Sequence, residues 1–177
     1  MASRMCMAEF RLDPVDTLIS TRAALFVAAV ALALAPAHLT AQTSRPRFIN
    51  PPGLSRPTGY THVVVSPDGR TAYIAGQVAY DSAGQVVGGG DFRAQAAQVF
   101  ANLSLALASV GAGFRDVMKT TTYLTDLKNV PALRGVRARH FDAAHPPANT
   151  LIPVSALARP ELLLEIEAVV AVPGSAP

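Results

Sequence analysis

Residues 162–172 read LLLEIEAVVAV, and the folding of the rest of the chain depends on this stretch. Apolar residues alternate through it, so Leu164, Ile166 and Ala168 share one face of a predicted strand, whereas Glu165 and Glu167 share the other. The two glutamates are then neighbours about 6.5–7 Å apart along the strand. Two carboxylates on one face of an apolar strand require water, cationic partners or a proton. This face is therefore the first place to look for chemistry.

A second predicted strand, residues 150–156, precedes this stretch and is entered through the turn PPANT at residues 146–150. We expect it to lie antiparallel beside residues 162–172. Asn149 and Glu165 would then lie near each other at one end of the strand pair.

An apolar run of thirteen residues, 23–35, follows Arg22 near the start of the chain. As a helix it would span about 20 Å, which is too short for a hydrocarbon core of about 30 Å. Small residues at Ala37 and Ala41 offer cleavage sites. We predict that residues 1–41 are a secretory signal peptide and that the mature protein is periplasmic or secreted. An uncleaved membrane anchor is the alternative.

The remaining composition excludes several classes of site. The formal net charge of the 177-residue chain is only +3, which does not favour a nucleic-acid partner. The single cysteine, Cys6, lies in the predicted signal peptide, so the mature chain is expected to have no thiol nucleophile and no sulfur ligand for a metal. The histidines show no metal-binding spacing, and we expect no metal site.

The order of predicted elements is β-β-α-β-α-β-β, an α+β fold with two helices packed on one face of a sheet. An extended leader, residues 42–58, precedes a domain at residues 59–173. Its predicted elements are strands 60–66 and 70–78, helix 91–110, strand 116–125, helix 130–143 and the two final strands. The mature chain is too short to cover the other face of the sheet, so we expect self-association.

Two local patterns carry further hypotheses. Gly76 interrupts a predicted strand, which indicates a β-bulge or the close approach of another group. Arg134, Arg137 and Arg139 cluster in the second predicted helix. A solvated helix face, or ion pairs to a neighbouring subunit, explains this cluster better than contact with RNA.

Several segments, in order, resemble the RidA (reactive intermediate deaminase, or YjgF) family over residues 59–172. They are Ile74-Ala75-Gly76-Gln77, Val117-Met118-Lys119-Thr120-Thr121, Leu124-Thr125-Asp126-Leu127, Pro147-Ala148-Asn149-Thr150 and Glu165-Ile166-Glu167-Ala168. The resemblance implies the chorismate-mutase-like RidA fold. It also implies a homotrimer whose sheets form a central barrel, with clefts between subunits for a small-molecule ligand or substrate.

The same resemblance implies hydrolysis of enamine or imine metabolites to carbonyl compounds and ammonia, without a cofactor. The family's water-positioning glutamate corresponds to Glu165 and its aromatic hydroxyl to Tyr60. Asn149 is the second candidate catalytic residue, and the remaining candidate ligand contacts are Gly76, Thr150 and Leu151.

The sequence departs from the family at Asn149, where the family has an arginine that binds the substrate carboxylate. An amide donates hydrogen bonds but brings no charge and no guanidinium fork. Losing such a charged pair costs a few kcal/mol, or roughly 10²-fold in transition-state binding. Two hypotheses remain: a deaminase with altered specificity, in which Arg159 is a conceivable substitute, and a non-catalytic metabolite-binding or holdase-like trimer. Ribonuclease activity is a weaker third option.

Overall fold

The computed structural model describes residues 45–174, and the predicted signal peptide lies outside them. Six strands and two helices follow one another in the order β-β-β-α-β-α-β-β. They are β1 (Arg47–Ile49), β2 (Val63–Val65), β3 (Thr71–Gln77), α1 (Phe92–Ala108), β4 (Val117–Leu124), α2 (Val130–Arg137), β5 (Ala148–Pro153) and β6 (Leu164–Ala171). The predicted α+β fold is confirmed. Within residues 45–174, no helix has the length and apolarity needed to cross a membrane.

β6, the strand from which the sequence argument began, lies near the middle of the sheet. The strand order is β1-β2-β3-β6-β4-β5, and β6 is antiparallel to both of its neighbours. Its alternation is as predicted: Leu164, Ile166 and Ala168 are buried on the face covered by the helices, whereas Glu165 and Glu167 are partly exposed on the open face.

β5 does not pair with β6, and the predicted antiparallel pair is wrong. β5 instead lies parallel to β4 at the edge of the sheet. The reason is that β4, α2 and β5 form a strand–helix–strand unit. The helix crosses over the sheet, so β5 runs in the same direction as β4 and pairs with it. β6 already has β3 on one side and β4 on the other.

α1 begins and ends largely as its sequence predicts. The side chain of Asp91 caps its first turn by accepting hydrogen bonds from the backbone N–H groups of Arg93 and Ala94. Gly111 follows the helix with φ of +70°, a conformation that glycine adopts without strain. The buried face of α1 packs on the sheet, mainly against β3 and β6.

α2 ends at Arg137, six residues before the predicted end at Ala143. The backbone N–H groups of His140 and Phe141 both donate to the carbonyl of Arg137, which closes the helix in tight turns. These turns stack the His140 ring on Phe100, at a centroid distance of 4.6 Å. Aromatic packing therefore overrides the helical pattern.

The predicted leader, residues 42–58, contains one element that its composition does not reveal. β1 pairs antiparallel with β2 and adds the outermost strand at that edge. The predicted strands 60–66 and 70–78 are joined by a tight turn, in which the N–H of Gly69 donates to the carbonyl of Ser66 at 2.9 Å.

Candidate functional site

A β-bulge in β3 creates the space for the side chain of Glu165. Ile74 pairs with Ala168 and Gln77 with Ile166, so β3 carries one more residue than β6 between these two pairs. Gly76 lies in this bulge. A Cβ built on it would overlap the Glu165 carboxylate. The bulge and the close approach predicted from Gly76 are both present.

Glu165 lines a cavity of about 580 Å³ that also contains Tyr60 and Gly76. The structure thus brings three of the predicted site residues together. Other residues in its walls are Ser55, Arg56, Thr58, Tyr80 and Arg159. Glu167 lies instead in a separate groove of about 300 Å³ on the open face of the sheet, together with Tyr73 and Lys119.

Two ionisable groups of the cavity, Glu165 and Tyr60, have raised pKa values. Burial, and after it the neighbouring carboxylate of Glu167, raises the pKa of Glu165 above that of an ordinary glutamate. Among residues 45–174, no cation forms an ion pair with Glu165. Burial also raises the pKa of Tyr60, with smaller contributions from Tyr80 and Glu165, so that this phenol remains a hydrogen-bond donor at neutral pH.

Two buried amides of α1 hold the walls of this cavity. Gln95 donates to the carbonyl of Glu161 at 2.7 Å and accepts from the N–H of Leu163 at 2.9 Å, which fixes the segment entering β6. Asn102 donates to the carbonyls of Val78 and Tyr80, both at 2.9 Å, which fixes the segment leaving β3. The helix therefore positions the segments on both sides of Glu165.

The remaining predicted site residues lie elsewhere. Asn149, Thr150 and Leu151 are on the edge strand β5 and do not line the Glu165 cavity. The expected proximity of Asn149 and Glu165 is wrong, because β4 separates their two strands. Their Cα atoms are about 14 Å apart by strand geometry.

The two residues also lie on opposite faces of the sheet. The side-chain oxygen of Asn149 accepts hydrogen bonds from the hydroxyl groups of Thr120 at 2.9 Å and Thr122 at 3.3 Å, which are buried beneath the helices. Glu165 pairs in register with Tyr123, whose side chain points to the open face. One chain therefore does not present Asn149 and Glu165 to the same small molecule.

Sequence reasoning missed several residues of the cavity. Arg56 comes from the segment interpreted as a leader, and Tyr80 comes from the loop after β3. Arg159, which the sequence suggested as a substitute cation, does line the cavity; it pairs with Glu161 at 3.6 Å, and its guanidinium lies 5.8 Å from the centroid of the Tyr80 ring. In the sequence, these residues were distinguished only by lying in polar segments, which does not predict that they line a cavity.

The buried His62 has a structural role, because both of its ring nitrogens are hydrogen-bonded within the fold. His62 bonds through Nε2 to the carbonyl of Ser55 at 2.9 Å and through Nδ1 to the Gln77 amide at 3.3 Å. In the part of the chain that the structure describes, no cluster of three or more His, Cys, Asp or Glu side chains is arranged to hold a metal ion.

Sequence comparison gives this site a family context. The model of the family described as endoribonuclease L-PSP matches residues 54–172. A RutC family protein of Synechocystis is 34% identical over 102 residues, which cover 57% of this chain and 78% of the relative. The 2-iminobutanoate/2-iminopropanoate deaminase of Mus musculus is 39% identical over 101 residues, covering 56% of this chain and 73% of the relative.

Comparison with solved structures agrees. The crystal structure of RidA from the Antarctic bacterium Psychrobacter sp. PAMC 21119 superposes with a TM-score of 0.63 and 28% sequence identity. The alignment covers 71% of this chain and 98% of that protein. The match therefore includes nearly the whole fold of the relative.

Proposed function

This chain belongs to the endoribonuclease L-PSP family, also called the RidA or YjgF family, and we propose that it hydrolyses small imines or enamines to carbonyl compounds and ammonia. The mouse relative is named as a deaminase of 2-iminobutanoate and 2-iminopropanoate. The observation that carries the proposal is the position of Glu165, a partly buried carboxylate of raised pKa that no cation neutralises among residues 45–174 and that lies in a cavity beside a protonated phenol.

In the proposed reaction, the ionised Glu165 accepts a proton from water while the water oxygen bonds to the imine carbon. The substrate enters as the protonated imine, so the C=N electron pair moves to nitrogen and a neutral carbinolamine forms. Glu165 returns its proton to this nitrogen and then takes the hydroxyl proton as the C–N bond breaks, which releases ammonia and leaves the carbonyl compound. The last proton passes from Glu165 to ammonia or to water. A base whose pKa is shifted towards neutrality can both accept and return a proton, which suits these two steps. Tyr60 is placed to donate a hydrogen bond to the reacting molecule.

The altered specificity that we propose follows from Asn149. This position carries no charge, so the strand alone does not supply the cation that a substrate carboxylate requires. The same substitution favours the second candidate function, a non-catalytic trimer that binds a small metabolite or acts as a holdase. Activity assays separate the two.

The test is ammonia release by the purified protein, with 2-iminopropanoate or a neutral imine generated in situ. We expect the Glu165→Gln variant to lose about 10²-fold or more of the rate, in the range typical of a general base. Glu167→Gln is the matched control, because it removes an equal charge two residues away, outside the cavity.

The outcomes divide clearly. A rate that falls in Glu165→Gln and persists in Glu167→Gln supports the hydrolase. Background rates with every imine, in a protein that is folded and oligomeric, rule out the hydrolase and leave the binding function. Equal loss in both variants assigns the effect to the charge of the sheet face rather than to Glu165.

We further propose that the protein is exported, to the periplasm or beyond, and works as a homotrimer without a cofactor. The apolar run at residues 23–35 supports export. The open face of the sheet supports association, because Tyr73 remains 54% exposed there.

A further inference from the structure

Arg137, at the end of α2, is connected to Asn149 by a chain of hydrogen bonds. Its Nη1 donates to the hydroxyl oxygen of Thr120 at 3.2 Å, and this hydroxyl donates to the side-chain oxygen of Asn149 at 2.9 Å. Thr122 donates to the same oxygen. The Asn149 Oδ1 is thus turned towards the threonines, and its NH₂ group is left to donate in the opposite direction.

The guanidinium of Arg137 is fixed by contacts with Thr120 and Phe141, but among residues 45–174 no carboxylate pairs with it. It lies 4.8 Å from the centroid of the Phe141 ring, so one flat side rests on an aromatic surface. Partial burial lowers the pKa of Arg137, but an arginine still carries its full charge at neutral pH. Among residues 45–174 no carboxylate forms an ion pair with it, and one of its five N–H donors is used.

A cavity of about 210 Å³ adjoins this guanidinium. Arg134, Phe141 and Pro146 contribute to its walls, as does Asp142. The Asp142 carboxylate is engaged elsewhere, because it accepts hydrogen bonds from the N–H of Ala144 at 2.9 Å and from His145 at 3.0 Å. The cavity therefore keeps a net positive charge. Arg134 and Arg139 are exposed, as predicted for a solvated helix face, whereas Arg137 is only partly exposed.

We infer that Arg137 binds the carboxylate of the ligand in this cavity. Asn149 does not line the cavity, but its exposed amide, linked to Arg137 through Thr120, is the neighbouring second donor. The cation missing from position 149 of β5 is then supplied by α2, a few ångströms away on the same face of the sheet. An arginine held on one side by Thr120 and Phe141 loses little conformational freedom on binding, which favours a charged, bidentate contact.

This inference rests on the proposed function for one point only, the class of ligand. Arg137 and Asn149 lie on the face covered by the helices, whereas Glu165 faces the opposite side. Within one chain, the carboxylate site at Arg137 is therefore separate from the cavity that holds Glu165.

The test measures binding rather than turnover. Pyruvate, the carboxylate product of 2-iminopropanoate hydrolysis, is titrated into the full-length protein and two variants by calorimetry, with neutral pyruvamide as the comparison ligand. We expect Arg137→Gln to weaken pyruvate binding tenfold or more. Arg139→Gln, which removes the same charge two residues later on an exposed side chain, should change it less than twofold.

A double variant tests whether a guanidinium at position 149 can replace that of Arg137. Adding Asn149→Arg to Arg137→Gln should recover pyruvate binding, because it returns a guanidinium to the same hydrogen-bonded pair of threonines. Amide NMR shifts in the wild-type protein give a measurement that needs no variant, and pyruvate should perturb Thr120, Arg137 and Asn149.

Three results would overturn the inference: equal affinity for pyruvate and pyruvamide, equal losses in Arg137→Gln and Arg139→Gln, or NMR shifts confined to the surroundings of Arg159. Failure of the proposed function looks different. Pyruvate binding at Arg137 without ammonia release removes the hydrolase and keeps the carboxylate site, whereas turnover of neutral imines alone keeps the hydrolase and removes the site.

Discussion

The carboxylate of Glu165 occupies the space that a side chain on Gly76 would fill. The two residues lie on neighbouring antiparallel strands, and the bulge in β3 brings the backbone of one against the side chain of the other. Glu165, the candidate base, can therefore occupy this position only because Gly76 has no side chain.

Gly76→Ala is expected to destabilise the fold by about 1–3 kcal/mol, the usual cost of forcing an added methyl into occupied space. The cost should nearly vanish in a Glu165→Ala background, because the overlapping atoms belong to Glu165. Urea denaturation of the four proteins measures this coupling. Additive effects would show that groups other than Glu165 oppose the added methyl group.

The pH profile of ammonia release should fall on its acidic side at a higher pH than an ordinary glutamate would give. Glu165 must be ionised to accept a proton, and burial followed by the Glu167 charge raises its pKa. Glu167→Gln removes the second cause and should extend activity to lower pH. A profile that does not move in this variant would contradict the assignment of Glu165 as the titrating base.

Gln95→Leu should lower the free energy of unfolding by about 2–4 kcal/mol, because partly buried backbone groups of Glu161 and Leu163 lose their hydrogen-bond partner, the buried Gln95 amide. Ser104→Ala, at an exposed position of α1, is the control and should stay within about 0.5 kcal/mol. Chemical denaturation gives both values. A mild effect of Gln95→Leu would mean that water replaces the amide.

The protein should sediment as a trimer, and Tyr73→Lys should dissociate it. Tyr73 is 54% exposed on the open face, where a charge would have to be buried by association. Leu105→Lys offers a comparison, since Leu105 is 41% exposed on α1. Sedimentation equilibrium distinguishes the two variants, and an unchanged trimer in Tyr73→Lys would place the interface elsewhere.

N-terminal sequencing of exported protein should begin near His38 or Gln42. Thirteen apolar residues would span only about 20 Å as a helix, which favours a cleaved signal peptide over the alternative of an anchor, and small residues precede both positions. Detection of Met1 on the mature protein would contradict the signal-peptide prediction.

Local patterns predicted the fold well. The alternation of β6 depends only on which side chains leave water, so its buried and open faces are visible in the sequence. Gly76 likewise signalled the bulge without any knowledge of its partner.

Local patterns could not predict which strand pairs with β5 or which residue Arg137 contacts. The pairing of β5 depends on how α2 crosses the sheet. The contact of Arg137 with Thr120 joins residues 17 positions apart through that same crossover. The arginine cluster was visible, but its proximity to Asn149 depends on tertiary structure.

The two hydrogen bonds of Gln95 to the segment before β6 join residues 66 and 68 positions apart in the chain. Both backbone groups that bond to Gln95 belong to the segment that enters β6, so the docking of α1 on the sheet also shapes the wall of the Glu165 cavity. A variant that loosens α1 would therefore weaken ligand binding although no residue that contacts the ligand has changed.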